Sequence, residues 1–196
     1  MTRIKGQLTT AEYLPMEEFA RLLKGLRQDK FYLWELYCCL SFCTALRSSD
    51  VRTLHWSDVL NKNEFFKIEQ KTGKSRSVKF NEIAKDKILE LYGLLGCPEK
   101  KELIFNNPKT QNPYSLEHIN RLLKKFRLRY RLKITAFSTH TFRKTFGRYV
   151  YDTFERSAES LILLNIIFKH SNIETTRTYI GIRQSEIDAV YNSITL

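Results

Sequence analysis

Glycine and proline are scarce in this 196-residue chain, at 7 and 4 residues. That scarcity excludes a turn-rich β-sandwich and leaves no low-complexity linker. No apolar run is long enough to cross a membrane. The longest, Phe31 to Leu46, is interrupted by Glu35, Ser41 and Thr44. The opening MTRIKGQLTT has no apolar stretch of the signal-peptide kind. The four cysteines, Cys38, Cys39, Cys43 and Cys97, include no C-x-x-C pair, so zinc spacing is missing. They read as free thiols of a reducing, cytoplasmic protein. There is no G-x-x-x-x-G-K-[ST] loop for a nucleotide and no carboxylate cluster suited to two-metal phosphoryl transfer. The expectation is therefore a protein without cofactor or metal.

Positive charge is abundant instead. Lys and Arg number 33 against 21 Asp and Glu, a net charge of +12. Such a balance points to a polyanionic partner, most often nucleic acid. A hydrophobic content of 42% supplies one real core, which excludes a disordered basic tail. The charge is also uneven. From His118 to Tyr151 there is no acidic residue, while ten cations occur: Arg121, Lys124, Lys125, Arg127, Arg129, Arg131, Lys133, Arg143, Lys144 and Arg148. A solvated helix face mixes both signs. A block of one sign is better explained by a phosphate backbone lying against it.

Apolar spacing predicts a mainly helical domain with a small antiparallel β-sheet, an α+β fold. A helix follows Pro15, with Phe19, Leu22, Leu23 and Leu26 on one side. The run 31–46 reads as a helix buried on most sides. Ser48 or Ser49 is placed to cap a short helix starting near Asp50. Phe65–Glu69 and Arg76–Phe80, rich in aromatic and β-branched residues and joined by Lys71-Thr72-Gly73-Lys74, predict a hairpin. Helical spacing returns over 83–95, from Ser115 with Ile119, Leu122, Leu123, Phe126 and Tyr130, after Thr139, over 158–168, and finally through Ile187, Val190, Tyr191 and Ile194.

Some polar residues carry chemistry only in combination. Arg47 follows the buried helix, and read alone it pairs with nearby Asp50. Lys71 at a hairpin turn, read alone, faces solvent. His140 and Arg143 share one helix face at H-x-x-R spacing. His170 precedes Tyr179 by nine residues, and a lone His or Tyr is ordinarily structural.

In order, Arg, Lys, His-x-x-Arg, His and Tyr resemble the signature of the tyrosine recombinases, the phage integrase family. The resemblance runs from about Tyr13 to the end through "TALRSSDVRTLHWSDV", "KTGKSRSVKF", "STHTFRKTF" and "KHSNIETTRTYIGI". It implies a catalytic domain over 13–196, an arm or linker end over 1–12, and a missing N-terminal core-binding domain. The implied reaction cuts and rejoins double-stranded DNA through a 3′-phosphotyrosine at Tyr179. Arg47 and Arg143 offer forked, permanent donors to the non-bridging oxygens, and His170 donates another hydrogen bond. Tyr179, mostly neutral at pH 7, gives its proton to His140. Lys71 protonates the departing 5′-oxygen, and Asp50 supports the site. Arg121, Lys124, Lys125, Arg127, Arg129, Arg131, Lys133 and Lys144 are the expected DNA contacts.

Two departures stand out. Phe168-Lys169 replaces the usual Leu-Gly before the second histidine, which predicts a different local turn. Lys144 replaces a frequent His. The family also implies that the last helix docks on a second copy, although its apolar stripe fits packing on its own domain equally well. Two rival readings remain at this stage, a type IB topoisomerase and a non-catalytic DNA-binding protein of the same fold.

Overall fold

A computed structural model describes residues 11–71, 73, 75–182 and 191–194. Among them the chain forms nine helices and two short antiparallel ladders, which agrees with the mainly helical expectation. No helix among the described residues is long and apolar enough to cross a membrane. The expected arm up to residue 10 and the expected last helix through Ile187 and Val190 lie outside the described residues.

Helix α1 (Met16–Gln28) starts directly after Pro15, with Glu17 and Glu18 in its first turn, and buries Phe19, Leu22 and Leu26. Helix α2 (Tyr32–Thr44) is the centre of the core, flanked by α1, α5 (Glu82–Leu94) and α7 (Thr141–Thr153). It buries Leu36, Tyr37, Cys38 and Leu40, and Glu35 with them. That carboxylate is tolerated because Arg27 donates to both its oxygens at 2.7 and 2.9 Å while the Lys87 amine lies at 3.0 Å.

The chain then turns through two one-turn helices, α3 (Ser48–Val51) and α4 (Trp56–Val59), the second absent from the sequence reading. The expected serine cap is corrected here. Ser48 is the first helical residue of α3, and Arg47 occupies the N-cap position with extended backbone and no side-chain cap. Strands β1 (Glu64–Ile68) and β2 (Ser75–Lys79) pair with Phe65 opposite Val78 and Lys67 opposite Arg76. Their inner face is Phe65 and Val78, while Phe66 and Ile68 stay exposed. A two-residue ladder, β3 (Asn106–Asn107) with β4 (Asn112–Pro113), was not expected.

Helix α6 (Leu116–Arg129) is capped by the Ser115 hydroxyl, which accepts from the His118 N–H at 3.1 Å, and turns Ile119, Leu123 and Phe126 inward. Helix α8 (Ala158–Phe168) follows α7, and α9 (Ile173–Ile180) is capped by Asn172. A large core joins α1, α2, α5 and α6. A smaller one gathers Ala45, Leu164, Phe168, Tyr179 and Ile180.

Helices α7, α8 and α9 close on one another at Gly147. A methyl group there would stand 2.6 Å from Ile180 Cγ2 and 2.9 Å from the Phe168 ring. Gly147→Ala is expected to destabilise the fold by about 1–3 kcal/mol through overpacking. Gly93→Ala in α5 meets open space and is expected to add roughly 0.5–1 kcal/mol. Urea unfolding of both variants checks this, and a wild-type stability for Gly147→Ala would contradict the packing described.

Candidate active site

The site begins at the end of α2. Ala45 adopts a left-handed conformation (φ 48°), which stops the helix and turns the chain toward Arg47. The carbonyls of Thr44 and Ala45 are left without helical partners, and two guanidinium groups take them. From β2, Arg76 donates to Thr44 at 2.7 Å and to Ala45 at 3.0 Å. From α7, Arg143 donates to the same Ala45 oxygen and, at 2.9 Å, to the carbonyl of Phe168 at the end of α8. Cations at helix C-termini also meet the negative end of each helix dipole.

Arg143 is only 4% exposed, and its guanidinium lies 4.5 Å from the Phe168 ring centroid. Burial and neighbouring Arg47 both weaken its hold on the proton. Arg76 is pushed down to about 10, mainly by burial and then by Arg143. Arg47 is half-buried and ion-pairs with Glu69, which is fully buried just beyond β1. This corrects the expectation that Asp50 is its partner. Asp50 Oδ1 instead accepts the Gln70 N–H at 2.9 Å, and its Oδ2 has no hydrogen-bond partner among the described residues. Asp50 therefore ties the hairpin to α3. Lys67 adds a second tie, from its amine to the Thr53 carbonyl at 3.2 Å.

Lys71 lies at the exposed tip of that hairpin, where it makes no hydrogen bond or ion pair to a described residue. His140 takes the N-cap position of α7, half-buried and one turn ahead of Arg143. At Phe168-Lys169 the chain leaves α8 through a left-handed residue. Lys169 caps α8 with φ 51°, the left-handed conformation a glycine adopts without strain, and its amine reaches the Ser75 carbonyl at 2.7 Å.

Helix α9 brings the tyrosine in. Tyr179 is 8% exposed, with its ring 5.1 Å from that of His170 and 5.3 Å from that of Phe168. Burial raises its pKa, while the positive charges of Arg143 and Arg47 pull against that rise. His170 is pushed down to about 4 by burial, Arg143 and Arg47, so it is neutral at pH 7. Lys144, expected on DNA, is instead buried at 7% exposure with its amine 5.2 Å from the Tyr179 ring centroid. The structure thus gathers Arg47, Arg143, His170, Tyr179 and Lys144 within one chain, with His140 half-buried at the start of α7 and Lys71 at the hairpin tip.

The expected DNA-facing block separates in the same way. Arg121, Lys124, Lys125, Arg131 and Lys133 are exposed. Arg127 turns inward and donates to the carbonyls of Ile134 and Thr135 at 3.0 and 2.7 Å, so it holds the loop after α6. Arg129 is exposed but its charge is met by Asp29.

A profile of the phage integrase family matches residues 12–186. The chain belongs to the phage integrase family. A curated relative from Bacillus subtilis (strain 168), "Probable integrase/recombinase YoeC", is 33% identical over 148 residues, covering 76% of this chain and 77% of that one. Among solved structures, the XerH site-specific recombinase bound to palindromic difH substrate, in a post-cleavage complex, aligns at 16% identity and a TM-score of 0.71. That alignment covers 94% of this chain and 54% of XerH, so the integrase-family chain spans about half of that protein. The catalytic domain of bacteriophage HP1 integrase aligns over 93% of this chain and 95% of its own, with a TM-score of 0.59 and 20% identity. These likenesses establish the tyrosine recombinase catalytic fold and a role in DNA recombination at the level of the family.

Glu69 and Arg76 were missed from sequence, where nothing sets them apart from the other charged residues of the hairpin. Between about pH 6.5 and 4 the unfolded chain binds a proton at His170 that the folded chain does not, so acid favours unfolding there. The urea midpoint of wild type is expected to fall more steeply over that window than that of His170→Gln. Parallel slopes would contradict the depressed imidazole.

Proposed function

We propose that this chain is the catalytic domain of a site-specific DNA recombinase that cuts and rejoins strands through a covalent 3′-phosphotyrosine at Tyr179. The observation that carries the reading is that the Arg143 guanidinium and the Tyr179 ring pack against the same Phe168 ring, at 4.5 and 5.3 Å, with the charge of Arg47 acting on both. A phosphodiester repels nucleophiles, and attack builds further charge on its non-bridging oxygens. Arg47 and Arg143 supply fixed positive charge there before the substrate arrives, so little reorganisation is needed. The bonds of Arg143 to Ala45 and Phe168 hold its guanidinium in place.

Attack by Tyr179 Oη on phosphorus forms the tyrosyl ester and breaks the bond to the 5′-oxygen. Lys71, on the exposed hairpin tip, is the proton donor for that leaving oxygen. His140 and His170 are the imidazoles available to the phenol's proton. The ester retains the energy of the broken linkage, so rejoining is the reverse attack by the 5′-hydroxyl. XerH is described bound to its difH substrate after cleavage, and lambda integrase, which aligns over this whole chain, is described bound to DNA, which supports DNA as the partner.

Incubation with a nicked suicide substrate followed by denaturing electrophoresis tests the reading. Wild type is expected to form a covalent adduct, and Tyr179→Phe none. An adduct that persists in Tyr179→Phe would remove the nucleophile from this residue. On the binding face, Lys124→Ala and Lys125→Ala are each expected to weaken duplex binding regardless of sequence. Each lowers the slope of log affinity against log salt by about 1, measured by fluorescence anisotropy. Slopes equal to wild type would take these lysines off the phosphate backbone.

A further inference from the structure

The hairpin that carries Lys71 is fastened to the end of α2 and to the chain through α3. Gln70 donates its N–H to Asp50, Lys67 reaches the Thr53 carbonyl, and Arg76 takes the carbonyls of Thr44 and Ala45. None of these ties leads to α8, whose end supplies the Phe168 carbonyl to Arg143 and then His170. Between β2 and α8 lies a cleft of about 420 Å³, lined by Thr44, Ser77, Phe146, Ile166 and Lys169. Among the described residues the Lys169 side chain crosses it. From the C-cap of α8 its amine donates at 2.7 Å to the carbonyl of Ser75, the residue that opens β2 opposite Ile68. The backbone there, at φ 51°, suits a glycine. Lysine adds a reach that glycine lacks.

We propose that Lys169 is a positioning residue that ties the hairpin to the end of α8 and so holds Lys71 where it can protonate the leaving 5′-oxygen. The proposal rests on Lys71 being the proton donor and Tyr179 the nucleophile. A proton donor must come within about 2.6–3.2 Å of the atom it serves. Lys71 makes no hydrogen bond or ion pair to a described residue, so its place is set by the backbone beneath it. An exposed hairpin tip belongs to the segments of a fold that open most readily. Ser75 stands four residues beyond Lys71, and the Gly73 N–H closes the turn between them on the Glu69 carbonyl at 2.8 Å. At the other end of the tie, the neighbouring Phe168 ring packs against both Arg143 and Tyr179. Lys169 therefore sets the distance from the hairpin that carries the donor to the pocket that carries the nucleophile. When the P–O5′ bond breaks, its electron pair goes to O5′, which takes a proton from the Lys71 ammonium. Lys71 stays neutral until rejoining, when the 5′-hydroxyl returns the proton. The Lys169 amine remains on the Ser75 carbonyl throughout and gives up no proton.

The test compares two suicide substrates, one with the natural bridging 5′-oxygen and one with sulfur in its place. A thiol is a far stronger acid than an alcohol, so sulfur leaves as a thiolate without a donated proton. In single-turnover adduct formation, Lys71→Ala is expected to be slow on the oxygen substrate and near wild type on the sulfur one. Lys169→Met and Lys169→Gly are expected to share that pattern. Each is slowed about 10-fold on oxygen, part of the roughly 10²- to 10⁴-fold a general acid contributes, and unimpaired on sulfur. Lys169→Arg, which still reaches a carbonyl, is expected to regain most of the rate. In a second arm, hydrogen exchange followed by NMR is expected to show the Gly73 amide opening faster in both variants, with α9 protected as in wild type. Equal slowing on both substrates, with a salt slope lower by about 1, overturns the tie and makes Lys169 a phosphate contact. Wild-type rates on both substrates overturn it as well, and so does unchanged exchange at Gly73. Absence of any adduct from wild type overturns the nucleophile reading, and Lys71→Ala slow on both substrates overturns its role as donor. In either case the exchange arm still decides whether Lys169 holds the hairpin.

Discussion

One carbonyl oxygen, that of Ala45, accepts hydrogen bonds from both Arg76 and Arg143. It is available because α2 ends abruptly in a left-handed residue, which exposes the carbonyls of the last turn. Four parts of the molecule converge on that point. The hairpin arrives through Arg76, α7 through Arg143, α8 through the Phe168 carbonyl that Arg143 also holds, and α3 through the chain that leads off with Arg47. The corner that organises the fold is therefore the corner that organises the site.

Crowding cations in this way is unfavourable unless anions answer them. Glu69 pairs with Arg47, and Asp50 lies close enough to favour the charged forms of Arg143 and Arg76. The balance is incomplete, since burial and mutual repulsion still depress both buried arginines and His170. A phosphodiester entering the pocket would relieve that repulsion. On the proposed function, folding stores in a rigid frame the electrostatic complement of a charge that the substrate brings. Nearby apolar packing serves the same end, because Phe168 lies against both the Arg143 guanidinium and the Tyr179 ring.

Much of the architecture was legible in the sequence. The stripes of α1 and α6, the apolar run of α2 and the aromatic hairpin each follow local periodicity, and the structure places them within a residue or two. Helix α9 had no such signal. Its residues Glu174 to Tyr179 are polar and β-branched, and it becomes a helix through the Asn172 cap and the burial of Thr176, Tyr179 and Ile180. The order of chemistry-bearing residues was readable, but their partners were not. Asp50 is three residues from Arg47, yet the bend into α3 gives Arg47 to Glu69, 22 residues away. The sign of the basic block was right as well, although exposure could not be read from it. Arg127 and Lys144 turn inward, and Asp29 reaches across to Arg129. Long-range pairing of this kind is set by tertiary packing and leaves no trace in local spacing.

The central claim is chemical, and the most direct measurement is tandem mass spectrometry of the covalent protein–DNA adduct after nuclease trimming and proteolysis. The account predicts a peptide carrying Tyr179 with a nucleotide joined to the phenol through its 3′-phosphate. A nucleotide on any other residue, or one joined through a 5′-phosphate, would contradict it.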